Sequence, residues 1–94
     1  MSFCVYIMAS GRNGTLYVDS TDDLARRAYE HQDKVRGGFT AKYDVAELVW
    51  FEVHDSREAA FTRERRIKKW KRAWKLELIE RDNPSWRDLK PSLL

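Results

Sequence analysis

Phe3 to Ala9 is an unbroken run of seven apolar residues, and the turn-forming cluster Ser10-Gly11-Arg12-Asn13-Gly14 follows it at once. A run this short, with β-branched and aromatic members and Gly and Asn behind it, reads as a buried strand rather than a helix. Cys4 sits inside it between Phe3 and Val5-Tyr6-Ile7, a setting for a core residue and not for a reactive thiol. Thr15 to Val18 is strand-like again. The chain therefore opens with an antiparallel hairpin, and the five intervening residues leave the turn type open.

Helical spacing takes over next. Ser20 or Thr21 is placed to cap a first helix, Asp22 and Asp23 suit its positive end, and Leu24, Arg27, Ala28 and His31 recur on one side of it to about Lys34. Gly37-Gly38 ends this helix, and a loop runs to about Val45. Glu47 to Val53 has the Val, Trp and Phe content of a strand, bounded by His54, Asp55 and Ser56. Ser56 is an N-cap for a second helix from Arg57, in which Ala60, Phe61, Glu64, Ile67, Lys68 and Lys71 follow helical steps. Trp70, Trp74, Leu78 and Ile79 continue that pattern into a further helical segment, which stops before Asn83-Pro84 because a proline disfavours helix in the residue before it. The tail then offers Trp86 and Leu89 for packing back on the core. The order strand, strand, helix, strand, helix, helix predicts an α/β (α+β) fold, a small mixed three-stranded sheet flanked by helices. Residues 1–94 are expected to form one domain with its core in about 3–89.

Composition bounds the function. Ninety-four residues leave room for one core, and 43% hydrophobic content with four Trp is enough to fold it without staples. A single cysteine cannot form an intramolecular disulfide, which fits a reducing compartment. No basic-then-apolar leader opens the chain and no apolar run approaches the roughly 18 residues of a membrane span. A soluble, cytoplasmic protein with no membrane contact is expected. The net charge of +3 says little by itself, but Arg63 to Lys75 (RERRIKKWKRAWK) holds eight basic residues and one acidic residue. Lys68, Lys69, Lys71, Arg72 and Lys75 are thus candidate phosphate contacts, set against the plainer reading of a solvated helix face.

At this point the positions of several polar residues form an ordered set. Cys4-Val5-Tyr6 ends in tyrosine, Tyr17-Val18-Asp19 begins with one, Arg27 stands ten residues after Tyr17, His31 follows four later, and Glu64 lies on the second long helix. This set resembles the GIY-YIG nuclease family, and Trp70…Trp74-Lys75…Asn83-Pro84-Ser85-Trp86-Arg87-Asp88-Leu89 is similar to a signature of its compact stand-alone bacterial members. The match spans residues 3 to 89. It departs from the pattern at Asp19, where the second motif carries glycine, and at Cys4, where the first does.

The resemblance implies a nuclease that hydrolyses phosphodiester bonds, in DNA more than in RNA and in the service of repair, with one Mg²⁺ or Mn²⁺ ion on Glu64. Such chemistry needs an activated water, charge balance on the phosphate oxygens and help for the departing alkoxide. One carboxylate suffices for a small hard cation that keeps much of its water shell. Arg27 offers bidentate contact to the phosphate, and His31, one helical turn on, shares its face. Tyr17, Tyr6 or His31 positions or deprotonates the water, and the sequence leaves the three open. Lys42, in the loop after Gly37-Gly38, is expected to approach the substrate. No second domain directs such a site, so targeting falls to a protein partner or to substrate shape.

Each candidate has a plainer role. Tyr6 and Tyr17 are of the kind that fills a half-buried strand position, Arg27 and His31 of the kind that lies solvated on a helix, and Glu64 can pair with Lys68 at i+4 for about 0.3–0.5 kcal/mol. The four Trp read as core and helix-packing residues before base-stacking ones. Asp19 adds a negative charge which, if it faces the site, repels phosphate or changes how metal is recruited. The alternative function is a nucleic-acid-binding module that keeps the fold without cutting.

Overall fold

The N-terminal run is apolar on both sides because it becomes the middle strand. The computed structural model describes residues 2–32 and 44–93. β1 (Phe3–Ala9), β2 (Leu16–Thr21) and β3 (Glu47–His54) form one sheet in the order β2-β1-β3, and Cys4 to Ala9 are all buried. β1 pairs antiparallel with both neighbours, placing Tyr6 opposite Asp19 on one side and opposite Phe51 on the other. The sheet is therefore antiparallel throughout where a mixed one was expected. β2 and β3 do run in the same direction, as a connection carrying a helix imposes, but β1 lies between them and every hydrogen-bonded pair is antiparallel.

Among the described residues three helices flank the sheet: α1 (Leu24–Gln32), α2 (Arg57–Lys68) and α3 (Arg72–Asp82), with a short 3-10 turn at Lys90–Leu93. Ser56 caps α2 as expected, its Oγ accepting from the Ala59 amide at 3.1 Å. The cap of α1 is Asp23, whose Oδ1 accepts from the Arg26 amide at 3.2 Å, while Thr21 Oγ1 accepts from the Asp23 amide just ahead of it. Ser20 has no part in that cap because β2 runs three residues beyond Val18. Between α2 and α3 the helical stripe breaks at Lys69-Trp70-Lys71, where the amides of Lys69 and Trp70 turn back to the carbonyls of Arg66 and Ile67.

Alternation along the strands builds two cores. Val5, Ile7, Val18 and Trp50 meet Ala60 and Ile67 of α2 and Leu78 and Ile79 of α3, whereas Tyr6, Met8 and Leu48 meet Ala28 of α1. Between Ile7 and Met8 the pairing steps from Trp50 to Leu48, so Val49 is an extra residue of β3. Asn83, buried after α3, donates Nδ2 to the Val49 carbonyl at 3.0 Å and to the Arg87 carbonyl at 2.8 Å. The tail is pinned next to it: Asp88 Oδ1 accepts from the amides of Leu48 and Lys90, and the Leu89 amide donates to the Leu48 carbonyl. Trp86 and Leu89 pack on the two cores as anticipated, and with Trp86 only 4% exposed its ring offers no docking surface. Cys4 is buried too, and burial pushes its thiol up from the ordinary range.

Candidate active site on the edge strand

β2 is one of the two outer strands of the sheet, and it carries polar residues at three successive positions, Asp19, Ser20 and Thr21. Polar residues there are accounted for by what each side chain meets. Cross-strand partners share a face and neighbours along a strand do not, so Tyr17, Asp19 and Tyr6 face α1 while Val18 and Ser20 face α2.

On the α1 side, the Tyr17 hydroxyl donates to Asp19 Oδ2 at 2.8 Å, and Arg27 Nη2 donates to the same oxygen at 3.1 Å. Asp19 Oδ1 accepts from the Ser20 amide, which fixes the carboxylate against its own strand. Arg27 comes from the first turn of α1, with Glu30 Oε1 3.6 Å from its Nε. That Nε is buried and makes no hydrogen bond. Burial works against the Arg27 charge, but Tyr6, Asp19, Tyr17 and Glu30 around it outweigh burial and hold the guanidinium more firmly protonated than in water. Two strand tyrosines and the helix arginine singled out from the sequence thus lie on the same face of the sheet. The residue at the motif-glycine position, Asp19, is the acceptor between them.

Glu64 stands on the other face. Its side chain is buried on α2, with Ser20 Oγ donating to Oε1 at 2.6 Å and Lys68 Nζ 2.7 Å from Oε2. The i+4 ion pair with Lys68 is therefore present, and so is a second partner from β2 that an intrahelical pair does not need. A cleft of about 560 Å³ opens beside Ser20, lined also by Ser56, Arg57, Glu58 and Phe61. Among the described residues no three His, Cys, Asp or Glu side chains converge on one point. A divalent cation here would rest on Glu64 alone with water completing its shell, which suits a small hard ion. The fit is supported by Lys68: its half-exposed ammonium already places a positive charge on Oε2 and can swing into solvent.

The expected contributions of Lys42 and of the His31 side chain lie outside the described residues; the His31 backbone continues α1 one turn past Arg27. Of the basic candidates, Lys68 is on Glu64, Lys69 is exposed, and Lys71 Nζ lies 5.7 Å from the centre of the Trp74 ring. Arg72 turns away, donating to the carbonyls of Asn13 and Gly14 at 2.7 and 2.6 Å and tying the β1–β2 turn to α3. Lys75 is half-buried, and burial followed by the nearby Arg72 charge holds its ammonium below the ordinary lysine range. Trp70 is partly buried, but Trp74 is 51% exposed, which corrects its reading as a helix-packing residue.

Ser20 escaped the sequence reading as a site residue. Its partner lies 44 positions away, and no local pattern ties the two. Strand alternation beyond Val18 was the one available signal, and it was masked by Ser20's fitness as a helix cap.

No helix among the described residues is long and apolar enough to cross a membrane. The sequence profile of the GIY-YIG catalytic domain matches residues 2–77. The UPF0213 protein of Haloquadratum walsbyi is 37% identical over 76 residues, 81% of this chain and 84% of that protein. The solution NMR structure of the UPF0213 protein of Bacillus halodurans superposes with a TM-score of 0.58 at 25% identity, covering 94% of this chain and 93% of that one.

Proposed function

Because this chain belongs to the GIY-YIG catalytic-domain family, and within it to the UPF0213 proteins, we propose that it hydrolyses phosphodiester bonds in nucleic acid, DNA before RNA, with one divalent cation on Glu64. The observation that carries this reading is the convergence of Tyr17 and Arg27 on one carboxylate oxygen at the sheet edge, with Tyr6 on the neighbouring strand close enough to act on the Arg27 charge. A phosphate oxygen has the charge and the acceptor geometry of Asp19 Oδ2, so the groups that bind the one are suited to bind the other.

In this reading Arg27 exchanges Asp19 for a substrate phosphate and holds its oxygens as negative charge builds on them. The Tyr17 hydroxyl, released in the same exchange, orients the water that attacks phosphorus, with Tyr6 and His31 as the remaining candidates for that task. Glu64, kept in place by Ser20, is the residue that would hold the cation, in the place Lys68 now takes on Oε2. The bound Mg²⁺ or Mn²⁺ supplies Lewis-acid stabilisation of the phosphate and the leaving oxygen. Lys68, Lys69, Lys71 and Lys75 provide phosphate contacts along the backbone, and a protein partner or substrate shape supplies targeting.

One observation favours a second reading. Asp19 occupies both Tyr17 and Arg27, as expected of a binding module that has lost its cutting step. The two are separated by incubating labelled single-stranded, duplex, flapped and branched DNA, and RNA, with Mg²⁺, Mn²⁺ or chelator. Metal-dependent cutting that disappears in Glu64→Ala supports the nuclease; salt-sensitive binding with no cutting under any metal supports the module.

A further inference from the structure

Beyond the edge-strand site, the break between α2 and α3 exposes an aromatic groove that the proposed chemistry does not use. Trp70 and Trp74 meet edge to face there, ring centres 6.2 Å apart and planes at 82°. Together with Glu77, Leu78 and Arg81 they line a groove of about 280 Å³. That is the small end of ligand-site volumes, the scale of a single planar ring system. A half-exposed tryptophan is an unusual feature of a short helix whose other large apolar residues are covered, and Trp74 leaves 51% of its surface in water.

The charge around the groove selects the occupant. Lys71 lies 5.7 Å from the Trp74 ring, Arg63 lies 5.3 Å over the Trp70 ring while its Nε pairs with Glu52, and Arg81, 3.8 Å from Asp82, is part of the lining. Glu77, the one anionic group in that lining, is an acceptor suited to the exocyclic amine of a base. A flat apolar surface rimmed by cations matches a ligand with an aromatic ring and an anionic backbone. We propose that the Trp70–Trp74 groove receives an unpaired nucleobase of the nucleic-acid substrate, so that the protein prefers strands with unstacked bases. The inference rests on the nucleic-acid reading above and adds a substrate preference to it. Only an unpaired base has a free face to stack, since in a duplex both faces are covered by neighbours. The groove begins just past the C-terminal end of the helix that carries Glu64.

The test uses the full chain in chelator, so that nothing is cut, with a labelled short oligocytidylate and a blunt duplex of equal length as probes. Trp74→Ala is expected to weaken the single strand about tenfold or more and to leave the duplex within about twofold, with Trp74→Phe recovering most of the loss. Single-strand binding should also quench tryptophan emission, because Trp50 and Trp86 are 2% and 4% exposed and the two groove rings, Trp74 above all, are those a base can reach. Equal loss on both probes, or none on either, overturns the base subsite while leaving nucleic-acid binding intact. Failure of the wild type to bind either probe overturns both readings. Concentration-dependent self-association that Trp74→Ala abolishes would assign the groove to a second copy of the chain and overturn the proposal as well.

Discussion

Asp19 holds a hydroxyl and a guanidinium on one oxygen, at 2.8 and 3.1 Å, and any anion that uses Arg27 competes with it. Asp19→Gly is expected to tighten binding of a short DNA in chelator several-fold, because it removes a carboxylate from beside the phosphate contact; Asp19→Asn, which keeps an acceptor for Tyr17, should give part of the gain. Fluorescence anisotropy reads both, and unchanged affinity in the glycine variant would mean that Arg27 does not contact phosphate. Stability should fall by less than about 1 kcal/mol, since the ion pair is partly solvated. Glu64→Gln preserves the shape that Ser20 and Lys68 surround but gives up the charge, so it should reduce cutting by about a hundredfold or more at little cost in melting temperature. The tyrosines, Arg27 and Glu64 were legible because the resemblance rests on residue types at fixed spacings. What Asp19 and Ser20 touch was not, because a strand end judged to lie at Val18 does not say which face the next residue takes.

At the scale of elements, the tail is a structural clamp. Asn83 satisfies the carbonyl of the bulged residue Val49 and brackets the turn to Arg87 with two hydrogen bonds, while Trp86 adopts a left-handed φ of 58° within that turn. Backbone strain of this kind persists where surrounding bonds fix it. Asn83→Ala leaves those buried backbone groups unpaired, and a loss of about 1–3 kcal/mol is expected from urea unfolding. Asp88 adds a pH dependence. Burial opposes its charge, but hydrogen bonds from Lys90 and from the Leu48 amide outweigh burial and hold its carboxyl below the usual range. A carboxyl held low in the folded state contributes stability above its unfolded pKa and loses it as pH falls through the lower folded value. Acid unfolding curves of Asp88→Asn should therefore be flatter than those of the wild type below about pH 4. Strand and helix order could be read from periodicity, and Trp86 and Leu89 were legible as tail anchors, whereas the sheet's antiparallel character depends on β1 entering between β2 and β3, for which the unbroken apolar run of β1 is a signal of burial on both faces but not of which strands lie beside it.

For the molecule as a whole, the decisive quantity is how many of its cations meet phosphate. The eight basic residues of Arg63 to Lys75 are a single run in sequence, but folding divides them. Arg72 is committed to the β1–β2 turn and Arg63 to Glu52, and Lys68 rests on Glu64 until a cation takes its place there, while Lys69 is exposed and Lys71 lies beside the Trp74 ring. Each cation that neutralises a phosphate releases counterions and steepens the salt dependence of binding by about 0.7–0.9 in log–log slope. Lys69→Gln and Lys71→Gln are each expected to flatten that slope by about this amount for a DNA oligonucleotide. Arg72→Ala should instead lower the melting temperature and leave the slope nearly unchanged, because what it gives up is the contact of Nη2 with the Asn13 and Gly14 carbonyls. If Arg72→Ala flattened the slope as much as the lysine changes do, the turn contact would have to give way on binding, and the basic run would act undivided on the nucleic acid.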